Sequence, residues 1–149
     1  MEFLGYHEEQ ALQEEMMPME TIGEKALRLN SEGCNCAQAV SGAHCERYGV
    51  DQATVLRLAS GLGGGLRCGE VCGAASGAVL VIGLRHGFSI PVDKEAKEKC
   101  AAKTVAFMEA FKERFGALTC RELLEASGRA ICNSLIRGAA EMLEQSEEK

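Results

Sequence analysis

Long apolar runs, basic clusters, prolines and aromatics are all scarce in this chain, and each scarcity removes a class of explanation. The longest apolar run, from Ala74 to Leu84, is broken by Ser76, Gly77 and Gly83, well short of the roughly 20 residues needed to cross a bilayer. No membrane partner is expected. With 16 Lys and Arg against 22 Asp and Glu the net charge is −6, and no basic face gathers that could track a phosphate backbone. Nucleic acid is not expected either. The opening "MEFLGYHEEQALQEEMMPME" carries acids where a secretory leader carries basic residues ahead of an apolar core, which predicts a cytoplasmic protein. Two prolines, 5% aromatics and few alternating β-branched residues leave little to build a sheet from, whereas Ala, Leu, Glu, Lys and Met are plentiful. The chain reads as all-α.

At 149 residues one core is the default. The expectation is a single-domain helical bundle of about six helices with a buried Gly-rich central helix. Residues 1–18 form an N-terminal extension that is a candidate helix, 19–145 the cysteine-rich domain, and 146–149 an acidic tail expected to fray. A first helix is predicted over 20–31, stopped by Gly33, and a second over 36–48, capped by Asn35 and closed by Gly49. Asp51 caps a third over 52–62, and a buried helix covers 70–86. Asp93 starts the longest, in which Cys100, Thr104, Phe107, Met108, Phe111 and Phe115 share one face. After Gly116, Thr119 and Glu122 read as a capping box opening a short helix to Ala126. The last, over 129–144, presents Ile131, Leu135, Ala139 and Met142 with Cys132, Ile136 and Leu143 alongside.

What the chain does have is cysteine, eight in all, and 17 glycines. In a reducing compartment clustered thiols bind metal or do redox chemistry more often than they form disulfides. The two residue types meet in "GLGGGLRCGEVCGAASG", residues 61–77, where Gly61, Gly65, Gly69, Gly73 and Gly77 recur every four residues. On a helix that is one stripe, open to close approach by another backbone. Glycine also disfavours helix, so the first half reads as an irregular turn and the second as a close-packed helix. The stretch lacks the phosphate-binding fingerprints: the third position of G-x-G-x-x-G falls on Cys68, and no Walker pattern exists. No nucleotide is expected.

Position singles out four thiols. Cys36 follows the cap Asn35, Cys120 follows Thr119, and Cys72 and Cys132 lie in first turns. Free amides and the dipole at a helix start favour thiolate, which predicts lowered thiol pKa values there. Four such sulfurs suit a tetrahedral site for zinc or an iron-sulfur cluster, and spacing does not choose between them. The C-x-C of Cys34 and Cys36 and the C-x3-C of Cys68 and Cys72 are not zinc-knuckle spacings. Cys34 and Cys68 are auxiliary candidates, and Cys45 and Cys100 read as core. His7, His44 and His86 sit in no ligand or catalytic pattern and read as structural.

The elements "GCNCAQAV", "GLGGG", "GEVCGAASGAVLVIGL", "TCREL" and "ICNSLIRGAAEML", in that order, resemble the redox-active protein family named for its C, CGAxxG, C, C cysteine pattern. The resemblance places the family's four cysteines on Cys36, Cys72, Cys120 and Cys132. The family is itself similar to the cysteine-bearing part of split-Soret-type cytochromes, which implies an iron-sulfur site. The chain has no C-x-x-C-H, so haem is not carried over. The gap between Cys120 and Cys132 looks shorter than in many relatives, and Cys34 and Cys68 add competing C-x-C and C-x3-C disulfides. The leading expectation is a [2Fe-2S] cluster on the four cysteines passing electrons to a redox partner protein. The alternatives are a thiol-disulfide or peroxide enzyme in which a low-pKa Cys72 or Cys36 attacks, and a structural zinc module. The glycine stripe and the scarcity of aromatics predict a homodimer.

Overall fold

Among residues 19–147, which the computed structural model describes, there are seven α-helices and no β-strand beyond an isolated bridge. They are α1 (Ile22–Ser31), α2 (Cys36–His44), α3 (Gln52–Leu58), α4 (Gly73–His86), α5 (Lys94–Phe115), α6 (Cys120–Ser127) and α7 (Ile131–Glu147). The all-α class stands, and each of the seven helices corresponds to one of the spans predicted singly, against the bundle total of about six. The N-terminal extension over 1–18, His7 within it, and the final residues 148–149 lie outside the described residues.

Side-chain caps set most helix starts. Thr21 and Glu24 form a reciprocal box at α1, as do Asn35 and Gln38 at α2, each meeting two otherwise orphaned amides. Asp51, Asp93 and Thr119 accept from the amides of Thr54, Ala96 and Glu122. Of the box expected at Thr119, only that half forms. Helix α2 runs on as a 3-10 turn, Cys45–Tyr48, closed by left-handed Gly49.

Three predicted boundaries move. Helix α7 runs to Glu147 instead of 144 and so enters the tail expected to fray, where Glu147 accepts from Arg47 and Tyr48. Helix α3 stops at Leu58 instead of 62 because its last carbonyls are taken from the side: Gln38 Nε2 donates to Leu56 O (2.9 Å) and Asn35 Nδ2 to Ala59 O (3.3 Å) and Ser60 O (3.1 Å). Helix α4 begins at Gly73 instead of residue 70, because residues 64–67 turn left-handed and Val71 is held extended in a bridge to Thr119.

Helices α2 and α4 form the centre: α2 packs on α1, α4 and α7, and α4 on α2, α5 and α7. The glycine stripe works here, inside the chain. A Cβ at Gly77 would stand 2.6 Å from Ala37 O and 2.8 Å from Ala37 Cα, so only glycine allows this close approach of α4 to α2. Alanines 37, 39, 43, 74, 75, 78, 139 and 140 are buried between the helices, with Val40, Val81, Phe111, Ile136 and Leu143 filling the larger gaps. Phe107 and Phe111 carry the buried face of α5, with Cys100, Met108 and Phe115 partly buried against the core. Cys45 is fully buried, as expected of a core thiol. His44 is buried too, its Nε2 3.0 Å from Ala140 O. Among the described residues no helix is long and apolar enough to cross a membrane.

Candidate functional site

Four helix starts supply the cysteines singled out by position. Cys72 is the N-cap of α4, Cys36 and Cys120 are the first residues of α2 and α6, and Cys132 is the second of α7. Three local devices bring these starts together. Gly73 lets α4 close on α2, since a Cβ there would fall on the sulfur of Cys36. An antiparallel bridge between Val71 and Thr119 joins the other two approaches. In it, Cys72 N donates to Leu118 O (2.8 Å) and Cys120 N to Glu70 O (2.7 Å), setting two cysteines side by side at the mouths of two helices. Finally α6 is short, and left-handed Gly128 turns the chain so that α7 returns Cys132 to the same place.

The result is one cavity of about 250 Å³ lined by Cys36, Cys72, Cys120 and Cys132. Leu123, Leu124 and Leu135 give it an apolar side, and Arg67 and Arg129 a cationic one. Cys72 is 4% exposed and the other three are half-buried. As the chain stands, no group of three or more His, Cys, Asp or Glu among the described residues is set to hold a single metal ion. The four thiols share the wall of this one cavity.

Their ionisation departs from expectation. Burial pushes the Cys72 thiol up to about 11, although the amides of Ala74 and Ala75 at the open end of α4 act the other way. Burial also raises Cys120 and Cys132, reinforced by the neighbouring cysteines and opposed by Arg129. At Cys72 the helix-start amides act but desolvation exceeds them, and at Cys120 and Cys132 burial is likewise the largest cause. A Cys72 activated as a low-pKa nucleophile is therefore not what the fold builds.

All eight cysteines are free, so neither near-neighbour pair is a disulfide. Cys34 is half-buried against the core and Cys68 is exposed, its thiol donating to Gly65 O (3.4 Å). Neither lines the cavity. A second cavity of about 240 Å³ lies between α4, α5 and α7 and has no cysteine in its wall. His86 lines it beside Arg85, which is occupied by Tyr48 Oη (2.8 Å), Leu143 O (3.0 Å) and Ser146 Oγ (3.1 Å).

Sequence reasoning missed the loop that completes the wall. Gly64, Gly65, Leu66 and Arg67 all have φ near +60°, one turn of left-handed helix. Leu66 and Arg67 are the non-glycine residues so placed among the described residues, at a cost of roughly 1–2 kcal/mol each. Strain of this kind persists where the surroundings enforce it, often at functional sites. Here a Cβ at Gly65 would strike the Glu70 backbone and come 2.9 Å from Cys120 Cβ, and Arg121 Nη2 donates to Cys68 O (3.0 Å), tying the loop to α6. The only sequence signal was "GLGGG", which announces left-handed backbone without saying which side chain it presents.

No curated protein and no solved structure shows a significant match to this chain. A family match covers residues 34–146 and includes all four cavity cysteines, under the description "Putative redox-active protein (C_GCAxxG_C_C)". The chain therefore belongs to this family of redox-active proteins.

Proposed function

We propose that Cys36, Cys72, Cys120 and Cys132 bind an iron-sulfur cluster, [2Fe-2S], and that the protein passes electrons to a partner protein. The observation that carries this reading is the convergence of four helix-start cysteines, far apart in the chain, on one cavity. Four soft thiol donors suit zinc or iron-sulfur ligation equally. The match to a family described as redox-active favours a centre that changes oxidation state over redox-inert zinc. Such a cluster accepts and returns single electrons. The half-buried Cys36, Cys120 and Cys132 leave one side of the site near the surface, where a partner can approach. A reducing, cytoplasmic setting would keep the four thiols available as ligands.

Anaerobic purification from a cluster-competent host, with iron and sulfide analysis and a visible spectrum, tests the proposal. Coloured protein with equal iron and inorganic sulfide supports it. Colourless protein with stoichiometric zinc selects the zinc module, and metal-free protein ends both.

We also propose a homodimer, now on different grounds. The glycines at 73 and 77 are used within the chain, but Leu84, Phe88, Ile90 and Val92, from the end of α4 to the start of α5, remain exposed, as does Val105 in the middle of α5. A monomer mass by light scattering would refute it.

A further inference from the structure

The cavity wall contains two arginines and no carboxylate. In a chain of net charge −6 that is a local inversion. Elsewhere Arg28, Arg47, Arg85 and Arg137 are matched to glutamates, while Arg57, Arg114 and Arg121 have no ion pair among the described residues and line no part of this cavity. Arg67 and Arg129 have no such partner among the described residues. Each is also held at the site by its backbone. Arg67 ends the strained left-handed turn that Arg121 ties to α6, and Arg129 lies between Gly128 and Cys132, on the short turn that returns α7 to the cavity. Two cations left unneutralised beside four thiols are complementary to negative charge.

We propose that Arg67 and Arg129 are the counter-charges of this cavity, making it a site for an occupant or reactant of net negative charge. The inference rests on the four cysteines acting as one site, whatever they hold. In the cluster reading the anion is the thiolate-ligated centre, whose negative charge grows by one on reduction, so both arginines favour the reduced form. They act as positioning residues, through the field at the sulfurs.

The test uses the reduced, metal-free full chain at one pH and low salt, treated in parallel with iodoacetate and iodoacetamide. The same thiolate displaces iodide from each reagent, forming a carbon–sulfur bond, so the fraction of thiolate cancels in the ratio of rates. The ratio isolates the preference for an anion over a neutral reagent. Mass spectrometry reads it at Cys120 and Cys132, with Cys100, partly exposed on α5 and outside the cavity, as the control. In an R67Q–R129Q protein the ratio at Cys120 and Cys132 is expected to fall roughly two- to fivefold, the range for exposed charges. Added salt should reduce the wild-type ratio toward the same value. The R67K–R129K protein should restore it. An unchanged ratio, or an equal fall at Cys100, overturns the proposal. If R67Q does not fold, Arg67→Gly, which suits the left-handed backbone, carries the same readout. Where the wild type is coloured, a midpoint potential lower in R67Q–R129Q than in wild type is the matching result, and an equal potential counts against it. Colourless, iron-free wild type ends the cluster reading alone, and the alkylation ratio still decides the arginines.

Discussion

The sulfur of Cys36 occupies the place that a side chain at Gly73 would need. One contact thus serves both the fold and the site, and substitutions along the glycine stripe should separate the two. Gly73→Ala meets a side chain that can rotate away, so the helices should hold, at roughly 1–3 kcal/mol for overpacking, while Cys36 leaves the cavity. Gly77→Ala meets the backbone of Ala37, which cannot rotate away, and should lower the melting temperature further. The expected pattern is reduced iron with modest destabilisation for G73A and the larger loss of stability for G77A. Equal melting temperatures would show that the α2–α4 spacing is not set by Gly77.

The helices were legible because their ends are written in single residues. Asn35, Asp51, Asp93, Thr119, Gly49 and Gly116 each cap the backbone the sequence assigned them. The four cavity cysteines were legible for the same reason, since a helix start can be read locally. Their ionisation was not, because burial of Cys72 is produced by α2, α6 and α7 together and leaves no local trace. Arg67 was invisible for a related reason: a left-handed turn extends past its glycines into Leu66 and Arg67 only because Glu70, Cys120 and Arg121 hold it there.

Serine substitutions should divide the cysteines into two groups. C36S, C72S, C120S and C132S are each expected to lose most of the bound iron, whereas C68S, outside the cavity and exposed, should keep it. C72S also places a hydroxyl in a nearly sealed site and should cost roughly 1–3 kcal/mol if it lacks a partner. Iron per chain measured beside thermal unfolding distinguishes loss of a ligand from loss of the fold. Wild-type iron in any of the four would remove that residue from the ligand set.

Asn35 tests how the start of α2 is held. Its Oδ1 accepts from Gln38 N (2.8 Å), while its Nδ2 donates to the end of α3. Asn35→Ala loses both and should destabilise by roughly 1–3 kcal/mol. Asn35→Asp keeps the acceptor and loses the donor, so its urea midpoint should fall between wild type and N35A. A midpoint for N35D equal to wild type would mean that the bonds to Ala59 and Ser60 contribute nothing.

His44 gives the chain an acid-sensitive core. It is buried on α2 with Nε2–H donating to Ala140 O across the packing with α7, and its Nδ1 has no partner among the described residues. Burial pulls its pKa down from 6.5 to about 4, with the bond to Ala140 acting the other way and Arg47 and Arg85 adding to the fall. The ring therefore stays neutral in the folded protein, while the unfolded chain binds a proton below its ordinary pKa. Between these two values the unfolded state holds more protons, so folding stability rises with pH across that window. The contribution is fully present above about pH 6.5 and is lost as pH falls toward 4, by roughly 3 kcal/mol. His44→Gln can keep a donor toward Ala140 without titrating, so the gap in unfolding free energy between wild type and H44Q should shift against the wild type by about that amount from pH 7 to pH 4. Parallel pH profiles for the two proteins would place the acid sensitivity elsewhere.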